Sequence, residues 1–166
     1  MSFTASITGL PGVLRSLQRT EKVLDDSRRL ANACYDAAST GAEIASTIYS
    51  MSDYDGDRNV SVTARKTDSG ATITATGQSV LFMEFGAGVT YSGERHPQNS
   101  EFGFGPGTYN PDSPNWSNPK GWWFKDPVTG QKVHTYGNPP AMAMYQAGKE
   151  VRPIAVENVR REIFGE

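Results

Sequence analysis

Ser79–Gly88 reads SVLFMEFGAG, and the conformation assigned to it decides the fold. Val80, Leu81, Phe82 and Met83 form an unbroken apolar run of the length of a buried strand. Glu84 then places one carboxylate in that run, Phe85 follows, and the chain turns at Gly86 and Gly88 around Ala87. A carboxylate among apolar groups is costly unless it is paired, so Glu84, Phe85, Gly86 and Gly88 form a candidate structural corner. Glu84 is expected to meet a basic side chain or backbone amides there. The plainer alternative is an edge strand with a solvated Glu84. As a strand, the segment sets Leu81 and Met83 on one face and Phe82 and Glu84 on the other, and both faces need cover.

Upstream, Val60–Arg65 (VSVTAR) and Ala71–Thr76 (ATITAT) alternate with period two and flank the turn-forming KTDSG, which predicts a hairpin. Val60, Val62 and Ala64 should share a face with Ile73 and Ala75. With the run after Gly77-Gln78 as a third strand, the expectation is an antiparallel meander. Before it, a helical pattern starts at Leu10-Pro11-Gly12 and reaches about Met51. Leu14, Leu17, Leu24, Leu30, Cys34, Ala38, Ala42, Ala45 and Ile48 make its apolar face. From Tyr35 onward that face narrows to alanines, which permits close approach to a sheet or helix, and Ser39-Thr40-Gly41 is a plausible break. Asp53, Asp55 and Asp57 in the following linker alternate like a calcium loop, but Ala64 stands where an EF-hand needs its bidentate Glu.

Downstream, residues 89–140 hold both histidines and all three tryptophans in a Gly- and Pro-rich setting. So long an excursion points to function or partner contact. Trp122–Lys125 and Lys132–Tyr136 read as a second hairpin around Asp126-Pro127-Val128-Thr129-Gly130. Trp122, Trp123, Phe124 and Tyr136 cannot all be buried in so small a unit, so some must cover the body or face another subunit. Part of the excursion is expected to be mobile in an isolated subunit. Ala141–Phe164 predicts a closing helix with Met142, Tyr145, Val151, Ile154, Val159 and Ile163 as its stripe and a kink or break at Arg152-Pro153. The fold expected is therefore α+β, a single domain over 1–166, with the meander and aromatic hairpin packed against a long N-terminal and a C-terminal helix.

Sixteen basic and 18 acidic residues nearly cancel and no segment is a basic tract, which argues against tight electrostatic binding of duplex nucleic acid. The single cysteine, Cys34, excludes an internal disulfide and a cysteine-based zinc cluster and reads as a small buried filler. No apolar run approaches the ~20 residues that span a membrane, and the first residues lack a signal-peptide pattern.

Taken together, YSMSDYDGDRNVSV, VLFMEFGAGVTY, the GWWF hairpin and HTYGNPPAMAMYQAGKEVR in this order resemble the tail-component family of long-tailed double-stranded-DNA bacteriophages, the "gene product ten" type. One hallmark is an apolar segment ending in Glu84-Phe85-Gly86, a small residue and Gly88; Ala87 stands where the family usually has Thr. The other is the segment from His134 to Tyr145. The resemblance implies a virion structural protein of the neck that completes or caps the tail tube in head–tail joining and assembles into rings, often sixfold. Its implied partners are further copies of itself and the neighbouring head-connector and tail-tube or tail-terminator proteins. It implies assembly in the host cytoplasm, DNA passing nearby without specific binding, and no enzymatic activity, cofactor or membrane. Trp122, Trp123, Phe124 and Tyr136, with Asn138, Met142, Met144 and Tyr145 of the second hallmark, form the expected subunit or partner interface.

Two other functions compete. A metal-dependent hydrolase would use Glu84, His96 and His134, yet neither histidine lies in a metal-protease spacing and no phosphate cradle or nucleophile elbow occurs. A carbohydrate-binding module would stack sugars on Trp116, Trp122 and Trp123.

Overall fold

Helix α1, Ser27–Met51, carries the alanines that dictate the packing. Ala31, Ala33, Ala37, Ala38, Ala42 and Ala45 are all buried, and their small size lets neighbouring backbones come close. The structure, a computed structural model, describes residues 18, 21, 27–52, 59–88, 95–104, 118–126 and 129–164. Most of the helical pattern between Leu10 and Asp26, the Asp53–Asp57 cluster and Trp116 lie outside the described residues.

The closing helix α3, Ala143–Phe164, runs antiparallel to α1. Arg29 near the start of α1 reaches Glu162 at 2.7 Å, and Asn158 Nδ2 donates to the Ala33 carbonyl at 3.2 Å. The ion pair is half exposed and contributes little; burial of small side chains holds the helices together. Helix α1 continues through Ser39-Thr40-Gly41, where the sequence suggested a break. Gly41 is there because Ile73 and Val151 converge on it. Helix α3 likewise continues through Pro153. Arg152 and Pro153 are exposed, so water can satisfy the carbonyl that proline leaves without a donor.

Strands β1, Ser61–Lys66, and β2, Ala71–Thr76, pair antiparallel with Val62 opposite Ala75 and Ala64 opposite Ile73. The expected face is the one that turns inward, and Ser61, Thr63, Arg65, Thr72, Thr74 and Thr76 remain exposed. Among the described residues the sheet has two strands. Val80–Phe85 is a short helix, α2, and among the described residues no third strand completes a meander. Met83, Glu84 and Phe85 are consecutive and all buried. Leu, Met and Glu are good helix formers, and a short apolar run suits either conformation. Leu81, far from being covered, is exposed. The second hairpin is as expected: β3, Trp122–Lys125, pairs antiparallel with β4, Lys132–Thr135. The architecture is thus α+β, two small antiparallel hairpins with helices.

The main core joins Ala45 and Tyr49 of α1, Met83 of α2 and Ala143 and Ala147 of α3, flanked by Ile44, Ile48, Val60, Val62, Ala75, Ala141 and Met144. Cys34 is only half-buried.

The convergence at Gly41 makes a testable pair. A Cβ there would collide with Val151 Cγ2 and lie 2.7 Å from Ile73 Cδ1. Gly41→Ala should therefore lower unfolding free energy by about 1–3 kcal/mol through overpacking. Gly148, in α3, has open space around its Cβ position, so Gly148→Ala should raise it by about 0.5–1 kcal/mol. Thermal and urea denaturation should show the opposite signs.

Candidate functional site

Helix α2 is too short to satisfy its own carbonyls, and the segment just before α3 does so instead. Asn138 Nδ2 donates to the Phe82 carbonyl at 2.8 Å, the Ala141 amide to that of Met83 at 2.7 Å, and the Met142 amide to that of Glu84 at 3.2 Å. Beyond α2 the backbones of Ala87 and Asn138 exchange two hydrogen bonds, 2.9 and 3.1 Å, as an isolated antiparallel bridge. The approach leaves no room for a Cβ at the glycines beside the bridge. Gly86 has φ +73°, and a Cβ on it would lie 2.8 Å from the Asn138 carbonyl oxygen. Gly137 has φ +96°, and its Cβ would strike the Ala87 carbonyl. The corner Gly86–Gly88 is therefore locked onto Gly137–Asn138.

Glu84 occupies the centre of this clasp and is only 5% exposed. Its Oε2 accepts from the Tyr49 hydroxyl at 2.7 Å and the Met144 amide at 3.0 Å. Its Oε1 accepts from the Tyr145 amide at 3.0 Å and lies 3.2 Å from His96 Nε2. Met142 accepts the first intrahelical bond of α3, from Gln146, so it holds the N-cap position. Its thioether is a poor cap acceptor, and Glu84 takes that role from elsewhere in the chain. The carboxylate also sits at the positive end of the helix dipole. Met142 has φ +54°, the left-handed region that a non-glycine residue seldom enters, held there by the bonds on either side.

His96 connects the clasp to residues 95–104. Its Nδ1 accepts from the Gln98 amide at 3.1 Å, which leaves Nε2 to carry the proton toward Glu84. The ring packs on Phe85 at 4.4 Å and Tyr145 at 5.2 Å, and Phe104 joins Phe85 at 4.8 Å. Burial, then the Glu84 charge and the hydrogen bond to it, push the Tyr49 phenol well above the ordinary tyrosine range, so Tyr49 stays a donor.

The expected partners of Glu84 are thus backbone amides, though at the start of α3 and not at the glycine corner. Among the described residues Tyr49 and His96 complete the set, with no Lys or Arg. Tyr49 is not among the residues that the helical pattern singles out. Of the expected interface residues, Trp122 is buried beside Gly88 and Asn138 is buried in the clasp. Met142, Met144 and Tyr145 are half-buried at the start of α3, and Phe124 is half-buried in the hairpin. Trp123 and Tyr136 do face outward, 67% and 54% exposed. His134 lies between them, 5.0 Å from Trp123 and 4.9 Å from Tyr136.

The histidine–carboxylate reading is therefore split. His96 meets Glu84, while His134 belongs to the aromatic row. Among the described residues no three His, Cys, Asp or Glu side chains are grouped to hold a metal ion, and no helix is long and apolar enough to cross a membrane. Comparison with family models, curated proteins and solved structures finds no match for this chain.

The four partners of Glu84 among the described residues are all donors, and glutamine offers one acceptor atom and one donor group. Glu84→Gln should lower unfolding free energy by about 3 kcal/mol, and Tyr49→Phe by about 1 kcal/mol, in urea titrations at neutral pH. A pH test isolates the phenol. The unfolded chain releases this proton near pH 10, whereas the folded chain holds it. The stabilisation from Tyr49 is then fully present below about pH 10 and declines above it. The difference between parent and Tyr49→Phe should shrink as pH rises from about 9 to about 11.

Proposed function

We propose that this chain is a structural protein of the neck of a long-tailed double-stranded-DNA bacteriophage, which completes or caps the tail tube and acts in head–tail joining as a ring. One observation carries the reading. The two segments on which the resemblance rests, Glu84–Gly88 and His134–Tyr145, are far apart in the chain yet meet in one clasp through the Ala87–Asn138 bridge and the Glu84 cap. Residues that a family keeps for a shared architecture are expected to have such a mutual role.

The outward aromatic pair Trp123 and Tyr136 supports contact with another protein, because exposed aromatic groups gain most from burial at an interface. Near-balanced charge suits a passage that DNA must traverse without being gripped. Expected neighbours in the ring are copies of the same chain, with head-connector and tail-tube or tail-terminator proteins above and below. The carbohydrate-binding alternative retains Trp123 as a platform, but Trp122 is buried.

Size-exclusion chromatography with light scattering, followed by electron microscopy, tests the proposal. The expected result is a closed ring, sixfold in projection, with a mass several times the 18.0 kDa of the chain. A protein that stays monomeric at every concentration and binds immobilised glycans through Trp123 would sink it in favour of the carbohydrate reading.

A further inference from the structure

We infer that the outer face of the β3–β4 hairpin seats on the exposed ridge of α1 in a second copy of this chain; the inference rests on the ring reading and names the two surfaces that build it. Trp123 lies opposite His134 and Lys125 opposite Lys132. Cross-strand partners share a face, and Tyr136, two residues beyond His134, extends the row against it. Two lysines directly opposite each other repel, and among the described residues neither has an ion-pair partner. The face thus combines the exposed rings of Trp123 and Tyr136 with two cations that lack an anion among the described residues, so its complement is both acidic and able to cover apolar surface.

Such a complement occurs on the same chain. Asp36, Thr40, Glu43, Thr47 and Met51 follow one another at steps of three or four residues along α1 and are all exposed, which places them on one line of the helix. Asp36 and Glu43 lack an ion-pair partner among the described residues. The hydroxyls of Thr40 and Thr47 donate back to the Asp36 and Glu43 carbonyls, at 3.3 and 2.9 Å, so the methyl groups are left for apolar contact. Met51, 79% exposed, offers a thioether that packs well against aromatic rings. Two cations thus meet two anions, and the aromatic row meets methyl groups and methionine. The surfaces are different patches of one molecule, so the contact is heterologous, the kind that closes into a ring when its rotation permits.

Aromatic rings with lysines are also what single-stranded nucleic acid recognises. Two lysines on a chain of net charge −2, with a matching acidic ridge on that chain, favour the second copy.

Sedimentation of the full-length protein tests this through charge exchange. Lys125→Glu with Lys132→Glu should raise the concentration needed for assembly by about tenfold or more, and Asp36→Lys with Glu43→Lys should do the same. All four changes in one chain should return it to within about threefold of the parent. Trp123→Ala with Tyr136→Ala should raise it by about thirtyfold. Circular dichroism would check that every variant remains folded. A parent ring indifferent to these changes overturns the inference and leaves the ring reading standing. A monomeric parent removes the ring reading and the inference with it. Loss in both charge variants without recovery in the combined one refutes the pairing of these two surfaces. Lysine-dependent binding of an oligothymidylate by unassembled protein, with assembly unaffected by the lysine variants, assigns the face to nucleic acid instead.

Discussion

A single buried carboxylate organises the centre of this protein. Glu84 can be ionised in an apolar setting only while its two oxygens are surrounded by donors, and those donors come from three separate parts of the chain: Tyr49, His96 and the first turn of α3. The requirement works in both directions. The unpaired amides at the start of α3 need an acceptor, and the residue at its N-cap, Met142, cannot supply one. One group therefore ties the last turn of α1 to the first turn of α3 and to His96 of residues 95–104.

Small side chains make the rest of the packing possible. Alanines on α1 and Ala143 and Ala147 on α3 are buried, and Gly41 admits Val151 and Ile73. Such a core buries little apolar area per residue, so close approach of backbones substitutes for bulk. Substitutions that add volume along this seam are consequently more damaging than their chemistry suggests.

The two hairpins are legible in the sequence because alternation and turn residues act locally: Val62, Ala64, Ile73 and Ala75 share a face, and Trp122–Lys125 pairs where expected. The alanine face of α1 is legible for the same reason. Val80–Phe85 is not, since six residues of apolar sequence lack a period that separates strand from helix. Its conformation is settled by carbonyls that dock on residues 138–142, a tertiary demand invisible locally. The need of Glu84 for partners follows from its neighbours, but Tyr49 and the amides of α3 do not, because nothing local announces a capping group from another part of the chain. Trp122 and Trp123 are adjacent and chemically alike, and only strand pleat and the position of Gly88 send one inward and the other out.

The bridge between Ala87 and Asn138 has a consequence for how this protein can change over time. It pins both feet of the intervening chain to the same rigid point, so that stretch behaves as a closed loop whose ends never separate. The entropy of closing such a loop grows only with the logarithm of its length, roughly 0.6 kcal/mol for each doubling. Insertions, deletions and wholesale replacement between the feet can therefore accumulate at small cost to the body, provided the contacts made by His96 and Trp122 are kept. A lineage carrying this architecture can remodel the surface of that stretch while the clasp beneath stays the same.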